Sequence, residues 1–235
     1  MALFAISDLH LPLGVNKPMD IFGRDWENYV EKLQENWQAN VKAEDTVVMP
    51  GDFSWAMHLK DSQADFEFIQ ALPGRKILLR GNHDYWWDTL SKLERFKTEK
   101  NFDSVYFLQN NYFVYENTAI CGTRFWNCPG IMALNEEDEK IYKRELIRCE
   151  LTLEKAKSDG FDEIIFFTHY PPVSKEGNVD KEFCEIMKKY DVSHVLYGHI
   201  HGNQKRFAFV GEYDSIKFDL VSCDFLSFLP LKLKD

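Results

Sequence analysis

Five short apolar segments recur along this 235-residue chain, and helical patterns lie between several of them. Each segment is bounded by Gly, Pro or Asp and has the length of a buried strand. Alternation of strands and helices predicts βαβ units and therefore an α/β fold. The predicted core strands are Leu3 to Ser7, Thr46 to Met49, Lys76 to Leu79, Ile164 to Phe167 and His194 to Tyr197.

Three stretches have the spacing of amphipathic helices, with apolar residues on one face. They are Trp26 to Val41, Ser62 to Leu72 and Glu136 to Lys157. Two other regions have strand-like segments separated by turn residues. A meander of neighbouring strands is predicted over Val105 to Leu108, Tyr112 to Tyr115 and Thr118 to Cys121. A hairpin is predicted from Arg206 to Val210 and Ser215 to Val221.

Composition favours one folded domain over residues 1–235, because 45% of the residues are hydrophobic and 15% are aromatic. The net charge of −10 disfavours a nucleic-acid-binding surface, since it repels a polyanion and no run of Lys and Arg is dense enough to follow a nucleic-acid backbone. Nothing in the sequence indicates an oligomeric state.

The cysteines and the N-terminus predict a cytoplasmic protein that does not associate with membranes. An odd number of scattered cysteines without close pairs is typical of reduced thiols. The chain reaches Asp8 without the basic and apolar regions of a signal peptide. No segment approaches the roughly 20 apolar residues that a membrane span requires. The five cysteines are Cys121, Cys128, Cys149, Cys184 and Cys223.

A short polar block follows each predicted core strand. Together the blocks contain five of the seven histidines, with carboxylates, an amide and glycines. Because strand ends in an α/β fold meet along one edge, we expect these side chains to converge. The blocks are Asp8-Leu9-His10, Gly51-Asp52, Gly81-Asn82-His83-Asp84, Thr168-His169 and Gly198-His199-Ile200-His201.

In two of the blocks, two potential metal ligands are separated by a single residue. In an extended segment Asp8 and His10 would project to the same side of the chain, as chelation of one cation requires. His199 and His201 repeat this spacing. These pairs predict two sets of ligands at the strand ends.

The other blocks supply oxygen and nitrogen donors of different kinds. Asp52 follows its strand through Pro50-Gly51, a sharp turn that would aim a carboxylate outward with two oxygens available to bridge two cations. Asn82 offers a carbonyl oxygen and His169 an imidazole. A mixed N/O set of this kind suits Mn, Fe, Zn or similar ions.

In this order, and after these strands, the five blocks closely resemble the motifs of the calcineurin-like metallophosphoesterase superfamily. The resemblance extends from Asp8 to His201 and implies a four-layer α/β/β/α sandwich of two mixed β-sheets. It also implies a binuclear metal centre. The first metal would be held by Asp8, His10, Asp52 and His201, and the second by Asp52, Asn82, His169 and His199.

The resemblance implies a metal-dependent phosphohydrolase that cleaves a small phosphomonoester or phosphodiester by attack of a metal-bridging hydroxide. His83 would bind no metal; it would stabilise charge in the transition state or protonate the leaving oxygen. Asp84 would accept a hydrogen bond from the other ring nitrogen of His83. The same metals also serve pyrophosphatases, so the type of phosphoester remains open.

Two alternatives use the same residues. One is a non-catalytic interaction module that keeps the fold, which the complete set of ligand positions disfavours. The other is a nuclease with the same site, which the acidic net charge disfavours.

Several aromatic and basic residues near the strand ends are candidate substrate contacts. Trp55, Trp86, Trp87 and Trp126 follow strands, where one or two would stack on a substrate; the alternative is that they fill the ends of the sandwich. Arg24 and Arg124 are candidate phosphate clamps, although an ordinary surface arginine is the favoured interpretation of each.

Overall fold

The computed structural model describes all 235 residues, Met1–Asp235. Two mixed β-sheets of five and six strands pack face to face, and helices cover the outer face of each sheet. The predicted four-layer α/β/β/α sandwich is confirmed.

The first sheet has the strand order β11-β1-β2-β3-β4, in which β1 to β4 are parallel and β11 is antiparallel at the edge. Its strands are β1 (Leu3–Ala5), β2 (Thr46–Pro50), β3 (Arg75–Leu79), β4 (Val105–Leu108) and β11 (Leu231–Lys234). Three helices pack on its outer face: α1 (Tyr29–Asn40), α2 (Gln63–Ala71) and α3 (Leu90–Lys100).

The second sheet has the order β5-β6-β7-β8-β10-β9, with antiparallel strands only at its two edges. Its strands are β5 (Phe113–Tyr115), β6 (Thr118–Thr123), β7 (Glu163–Thr168), β8 (His194–Tyr197), β9 (Gly211–Tyr213) and β10 (Ile216–Leu220). Helices α4 (Glu136–Ser158) and α5 (Lys181–Lys189) contribute to the core on its outer face.

Alternate residues of the central strands face different layers. In β7, Ile165 and Phe167 belong to the core between the sheets, whereas Ile164 and Phe166 belong to the core beneath α4 and α5. Both faces of the strand are therefore buried, which explains its continuous apolar run. Each fully buried side chain of this size stabilises the fold by about 1.5–3 kcal/mol.

Three sequence predictions differ from the structure. The meander is divided, because β5 and β6 form a hairpin whereas β4 pairs with β3 in the other sheet. In the C-terminal hairpin the first strand is β9 and not Arg206 to Val210, where a short 3-10 helix (Gly202–Phe207) ends. Helix α1 begins at Tyr29 and excludes Trp26, since Asn28 has left-handed backbone with a φ of 52°. Turn residues indicate where the chain changes direction, but they do not determine with which strand the next segment pairs.

None of the helices combines the length and the apolar composition that crossing a membrane requires.

The N-terminus of α4 has a side-chain cap that can be tested. The Asn135 side chain accepts hydrogen bonds from the backbone N–H groups of Glu137 and Asp138, both at 2.9 Å. We expect Asn135→Ala to lower the free energy of unfolding by about 1 kcal/mol, because two helix donors lose their acceptor. Urea unfolding measures this, and Asn135→Ser, which keeps an acceptor, is the control. Equal stability of the two variants would contradict the assignment of the cap.

Candidate metal centre

The polar blocks meet where the carboxyl ends of strands from both sheets come together. The backbone N–H of His199, after β8, donates to both carboxylate oxygens of Asp8, after β1, at 3.0 Å. Nε2 of His169, after β7, lies 2.7 Å from Oδ1 of Asn82, after β3. Residues far apart in sequence therefore form one cluster that joins the two sheets.

Asp52 lies in the middle of this cluster and is fully buried. Its Oδ1 accepts a hydrogen bond from the backbone N–H of His83 at 2.8 Å and lies 3.5 Å from Nε2 of His169. Its Oδ2 lies 3.6 Å from Nε2 of His10 and has no hydrogen-bond partner. The two oxygens thus face different histidines on opposite sides of one carboxylate.

One side of the cluster contains Asp8, His10 and His201, whose candidate ligand atoms all lie within 4.8 Å of one another. The Nε2 atoms of the two histidines are only 3.3 Å apart. The Asp8 carboxylate is oriented by the hydroxyl groups of Ser7 and Ser222, which both donate to its Oδ2. Two imidazole nitrogens and one carboxylate are therefore held close enough together to bind one cation.

The other side contains Asn82, His169 and His199. Oδ1 of Asn82 lies within 2.9 Å of Nδ1 of His199, as well as close to His169. Nδ1 of His169 lies 3.0 Å from the carbonyl oxygen of Pro50, a contact that orients the ring with Nε2 toward the cluster. A second group of ligand atoms within 4.8 Å of one another comprises Asp8, Asp52 and His169.

Strained backbone aims several of these side chains. Strand β1 ends at Ala5, and Asp8 and His10 have positive φ values of 57° and 45° instead of the extended conformation predicted for them. Asp52 and His199 also have positive φ, at 53° and 69°. Such conformations cost of order 1–3 kcal/mol each and cluster at functional sites. Asp8 and His10 therefore converge through sharp turns and not through strand alternation.

Asp84 makes no hydrogen bond with the ring of His83, contrary to the prediction. Its fully buried carboxylate instead accepts five hydrogen bonds of 2.7–3.3 Å, four from backbone N–H groups and one from an indole. The donors are Asp52, Phe53, Ser54, Gly81 and Trp86. Asp84 thus ties the loop after β2 to the loop after β3, and its contacts make it a positioning residue.

His83 lies at the edge of the cluster and is half-buried. Its ring centroid is 4.9 Å from that of Trp55 and 5.5 Å from that of His10, and its ring nitrogens make no hydrogen bond. Burial lowers the pKa of His83, and the charges of His201 and Lys17 lower it further. Its ring is therefore the part of the cluster that is free to contact another molecule.

Burial shifts the pKa values of the central groups in opposite directions. Desolvation raises the pKa of Asp52, and the neighbouring carboxylates of Asp8 and Asp84 raise it further. Burial lowers the pKa of His169 to about 3 and that of His199 to about 4. The imidazoles are consequently neutral and have lone pairs available, while the carboxylates repel one another.

These observations fit bound cations. A buried carboxylate oxygen without a partner, neutral imidazoles and an amide oxygen form a donor set typical of Mn, Fe or Zn sites. A cation would also remove the repulsion between the carboxylates.

Trp55 lies beside the cluster, where it packs behind His10. The two rings are stacked with centroids 4.4 Å apart, and Trp55 is buried. Its indole N–H donates to Sδ of Met19, and Nζ of Lys17 lies 3.4 Å from its ring centroid. Trp55 therefore supports a candidate ligand, and its ring also contacts Lys17 and His83.

Three other predicted substrate contacts, Trp86, Trp87 and Arg24, make no side-chain hydrogen bond, ion pair or ring contact with the candidate ligands. Trp86 is buried, donates its indole N–H to Asp84 and packs against Phe66, so it cannot contact a substrate; that prediction is corrected. Trp87 is buried as well. Arg24 is exposed, makes no hydrogen bond or ion pair, and borders a surface cavity with Lys205 and Asp224.

Trp126 and Arg124 lie next to the His199 side of the cluster. The Arg124 guanidinium lies 4.5 Å from the ring centroid of Trp126, which is 4.8 Å from that of Tyr170. The Tyr170 ring in turn is 4.4 Å from the ring of His199. Trp126 also donates its indole N–H to Asp138. These contacts connect both residues to the ring of His199 through Tyr170.

Sequence reasoning missed Tyr170 and Ser222. Tyr170 follows His169 directly, and its ring packs on His199. Ser222 follows β10 and pairs by a bridge with Ser7, which brings its hydroxyl to Asp8. A polar residue after one more strand was the available signal, but a single serine is not distinctive.

A comparison with protein families finds a match over most of the chain. The sequence profile of the calcineurin-like phosphoesterase family matches residues 1–203. A search of the curated proteins finds no match.

Solved structures share the fold over nearly the whole chain. A phosphopantetheinyl hydrolase from Mycobacterium tuberculosis has a TM-score of 0.58 and 13% identity, with 99% of this chain and 95% of that chain covered. A Thermus thermophilus protein has a TM-score of 0.55 and 14% identity, with 99% and 97% covered. A protein of unknown function from Aquifex aeolicus has a TM-score of 0.50 and 18% identity, with 98% and 95% covered.

The role of Asp84 can be tested by removing half of its acceptor capacity. In Asp84→Asn, an amide NH₂ would face backbone N–H donors, so we expect the free energy of unfolding to fall by about 1–3 kcal/mol. The loops after β2 and β3 would separate, and bound metal measured by mass spectrometry would decrease. The control is Asp88→Asn, in which the altered carboxylate is exposed and pairs with Lys92. If both variants kept full stability and metal content, this role would be excluded.

The close approach of Gly81 to Asp52 gives a second test. A Cβ atom at Gly81 would lie 2.1 Å from Oδ1 and 2.3 Å from N of Asp52, so the carboxylate would have to move. We expect the Gly81→Ala protein to bind at most about half as much metal as the wild-type protein, because precise placement of ligands determines affinity. Gly160→Ala is the control for backbone strain away from the site: its φ of 94° disfavours a side chain, but nothing lies within 4 Å of a Cβ there, so its metal content should be unchanged. Wild-type metal content in Gly81→Ala would show that the site tolerates this displacement.

Proposed function

This chain belongs to the calcineurin-like phosphoesterase family, and on that basis we propose that it is a metal-dependent phosphohydrolase of a small phosphomonoester or phosphodiester. The observation that carries the proposal is the placement of Asp52, whose two carboxylate oxygens face different histidines. A carboxylate in this position is suited to bridge two cations. The name of the Mycobacterium tuberculosis fold neighbour, a phosphopantetheinyl hydrolase, supports the same class of reaction.

We propose that the chain binds two metal ions through side chains from all five blocks. The first would be held by Asp8, His10, Asp52 and His201, and the second by Asp52, Asn82, His169 and His199. When bound, divalent cations lower the pKa of water and withdraw charge from phosphoryl oxygens. The first set is supported by the ligand atoms of Asp8, His10 and His201, which lie within 4.8 Å of one another. The second is supported by Oδ1 of Asn82, which lies 2.7 Å from Nε2 of His169 and 2.9 Å from Nδ1 of His199. Nε2 of His169 also lies 3.5 Å from Oδ1 of Asp52.

His83 is the proposed catalytic residue that binds no metal. Its ring lies beside His10 and Trp55 without a hydrogen bond of its own. A neutral imidazole carries one N–H group, which would donate to a phosphoryl oxygen or to the leaving oxygen. The backbone N–H of His83 is held by Asp52 at 2.8 Å, so the position of the ring is linked to that carboxylate.

Other residues keep these groups in place. Asp84 holds the loops that carry Asp52 and His83, and Trp55 packs against the ring of His10. Tyr170 covers the ring of His199. Fixed orientation of this kind reduces the reorganisation needed when a substrate binds.

The cellular setting stays a prediction. All five cysteines are free and buried, which supports a reducing compartment and hence the cytoplasm. We propose that residues 1–235 act as one domain on a small phosphorylated substrate.

Activity on a chromogenic phosphoester tests the proposed function. We expect the Mn-loaded protein to hydrolyse p-nitrophenyl phosphate or bis-p-nitrophenyl phosphate. Asp52→Asn should lose metal and most turnover, whereas His83→Ala should keep its metal and lose roughly 10²-fold in kcat, a typical effect of removing a general acid or a positioned donor. His58→Ala, at an exposed histidine, is the matched control and should retain full activity.

Two results would overturn the proposal. A protein that binds two metal ions but leaves a broad panel of monoesters, diesters and pyrophosphates intact would favour a non-catalytic interaction module. Faster cleavage of single-stranded or duplex DNA than of any small ester, at low salt, would favour a nuclease.

A further inference from the structure

A cavity of about 70 Å³ lies at the carboxyl ends of β3, β4 and β6, beside the candidate metal centre. Three arginines from separate parts of the chain line it: Arg80, Arg124 and Arg148. The one carboxylate in its wall is Glu145, which is fully buried. In a chain with a net charge of −10, a cavity lined by three arginines and one carboxylate is a local reversal of sign.

The charges around this cavity are only partly paired. Arg148 contacts Glu145, with 2.6 Å between Nη1 and Oε1. The guanidinium groups of Arg80 and Arg124 make no hydrogen bond and no ion pair with protein groups, and Oε2 of Glu145 is buried without a partner. Arg80 and Arg124 therefore present guanidinium N–H donors to the cavity that no protein acceptor engages. Because three guanidinium groups face one carboxylate, the lining of the cavity is positively charged, which favours an anionic occupant.

Arg124 is positioned by the candidate metal centre itself. Its carbonyl oxygen accepts hydrogen bonds from the backbone N–H groups of His169 at 3.1 Å and Tyr170 at 3.0 Å. Burial lowers the pKa of the Arg124 guanidinium, the charge of Glu145 raises it and that of Arg80 lowers it. Arg124 is therefore half-buried and faces both of these groups while its backbone adjoins a predicted ligand.

Arg80 connects the cavity to the same centre from the other sheet. It directly precedes Gly81, whose backbone N–H donates to Asp84 at 2.7 Å. Arg80 is also exposed, so a ligand can approach the cavity along its side chain. The cavity is thus reached from solvent and borders the side of the centre that contains Asn82 and His169.

We propose that this cavity binds a second anionic group of the substrate, a phosphate or a carboxylate separate from the phosphoester that is hydrolysed. The inference rests on the proposed function and narrows the substrate to a small molecule with two anionic groups. Planar guanidinium groups match oxyanions with paired hydrogen bonds, which makes arginine the suitable residue here. The cavity volume of about 70 Å³ is on the scale of one such group.

The test measures binding separately from turnover. Zinc-loaded protein is titrated by calorimetry with propylphosphonate, with alkane-α,ω-bisphosphonates of increasing length and with ω-phosphonocarboxylates of matched length; none of these is hydrolysed. We expect at least one doubly anionic compound to bind about tenfold more tightly than propylphosphonate, and its type identifies the second group as phosphate-like or carboxylate. Both Arg124→Gln and Arg80→Gln should remove most of this preference.

The controls separate a specific site from general charge. Arg144→Gln removes an exposed arginine beside Glu145 that does not line the cavity, and it should leave both affinities unchanged. Arg80 is exposed, so its variant tests the inference even if Arg124→Gln fails to fold.

Two outcomes overturn the inference. One is that no doubly anionic compound binds better than propylphosphonate, and the other is that Arg80→Gln keeps the preference. Either result can occur while the protein still hydrolyses simple phosphoesters, so failure of this inference is distinct from failure of the proposed function. Conversely, if the protein is inactive but shows the arginine-dependent preference, the anion site is supported and the proposed hydrolase function is contradicted.

Discussion

The five hydrogen bonds accepted by the Asp84 carboxylate fix the relative positions of the loops that form the candidate metal centre. They join the backbone after β2 to the backbone after β3, and they fix the position of Asp52 between two sets of histidines. Because the carboxylate is fully buried, each donor compensates part of its desolvation. A fully buried carboxylate thereby sets the geometry in which the candidate metal ligands lie.

The sandwich maintains strain at this centre. Asp8, His10, Asp52 and His199 all have left-handed backbone, which most residues avoid. Hydrophobic burial on both faces of the central strands offsets this cost, since the layers between and outside the sheets are continuous apolar clusters. Stability is therefore concentrated in the strands and helices, and strain is concentrated where the strands end.

The sequence predicted the parts of the fold that depend on local pattern. Apolar runs such as that of β7, with both faces buried, identified the core strands because burial alone determines their composition. The partner of β4 could not be predicted, since turn residues at Asn110 and Asn111 are compatible with either sheet. The burial of Trp86 could not be predicted either, because a position after a strand does not determine whether the side chain faces solvent or the outer core.

By itself the sequence determined the family, the order of the five polar blocks and the types of donor that they offer. These are properties of residue identity and spacing along the chain. Only the tertiary structure decided that Asp84 binds backbone and not His83, and that Arg80, Arg124 and Arg148 surround one cavity. The physical reason is that these contacts join segments from different strands and a helix, and their distances exist only after the two sheets have packed together.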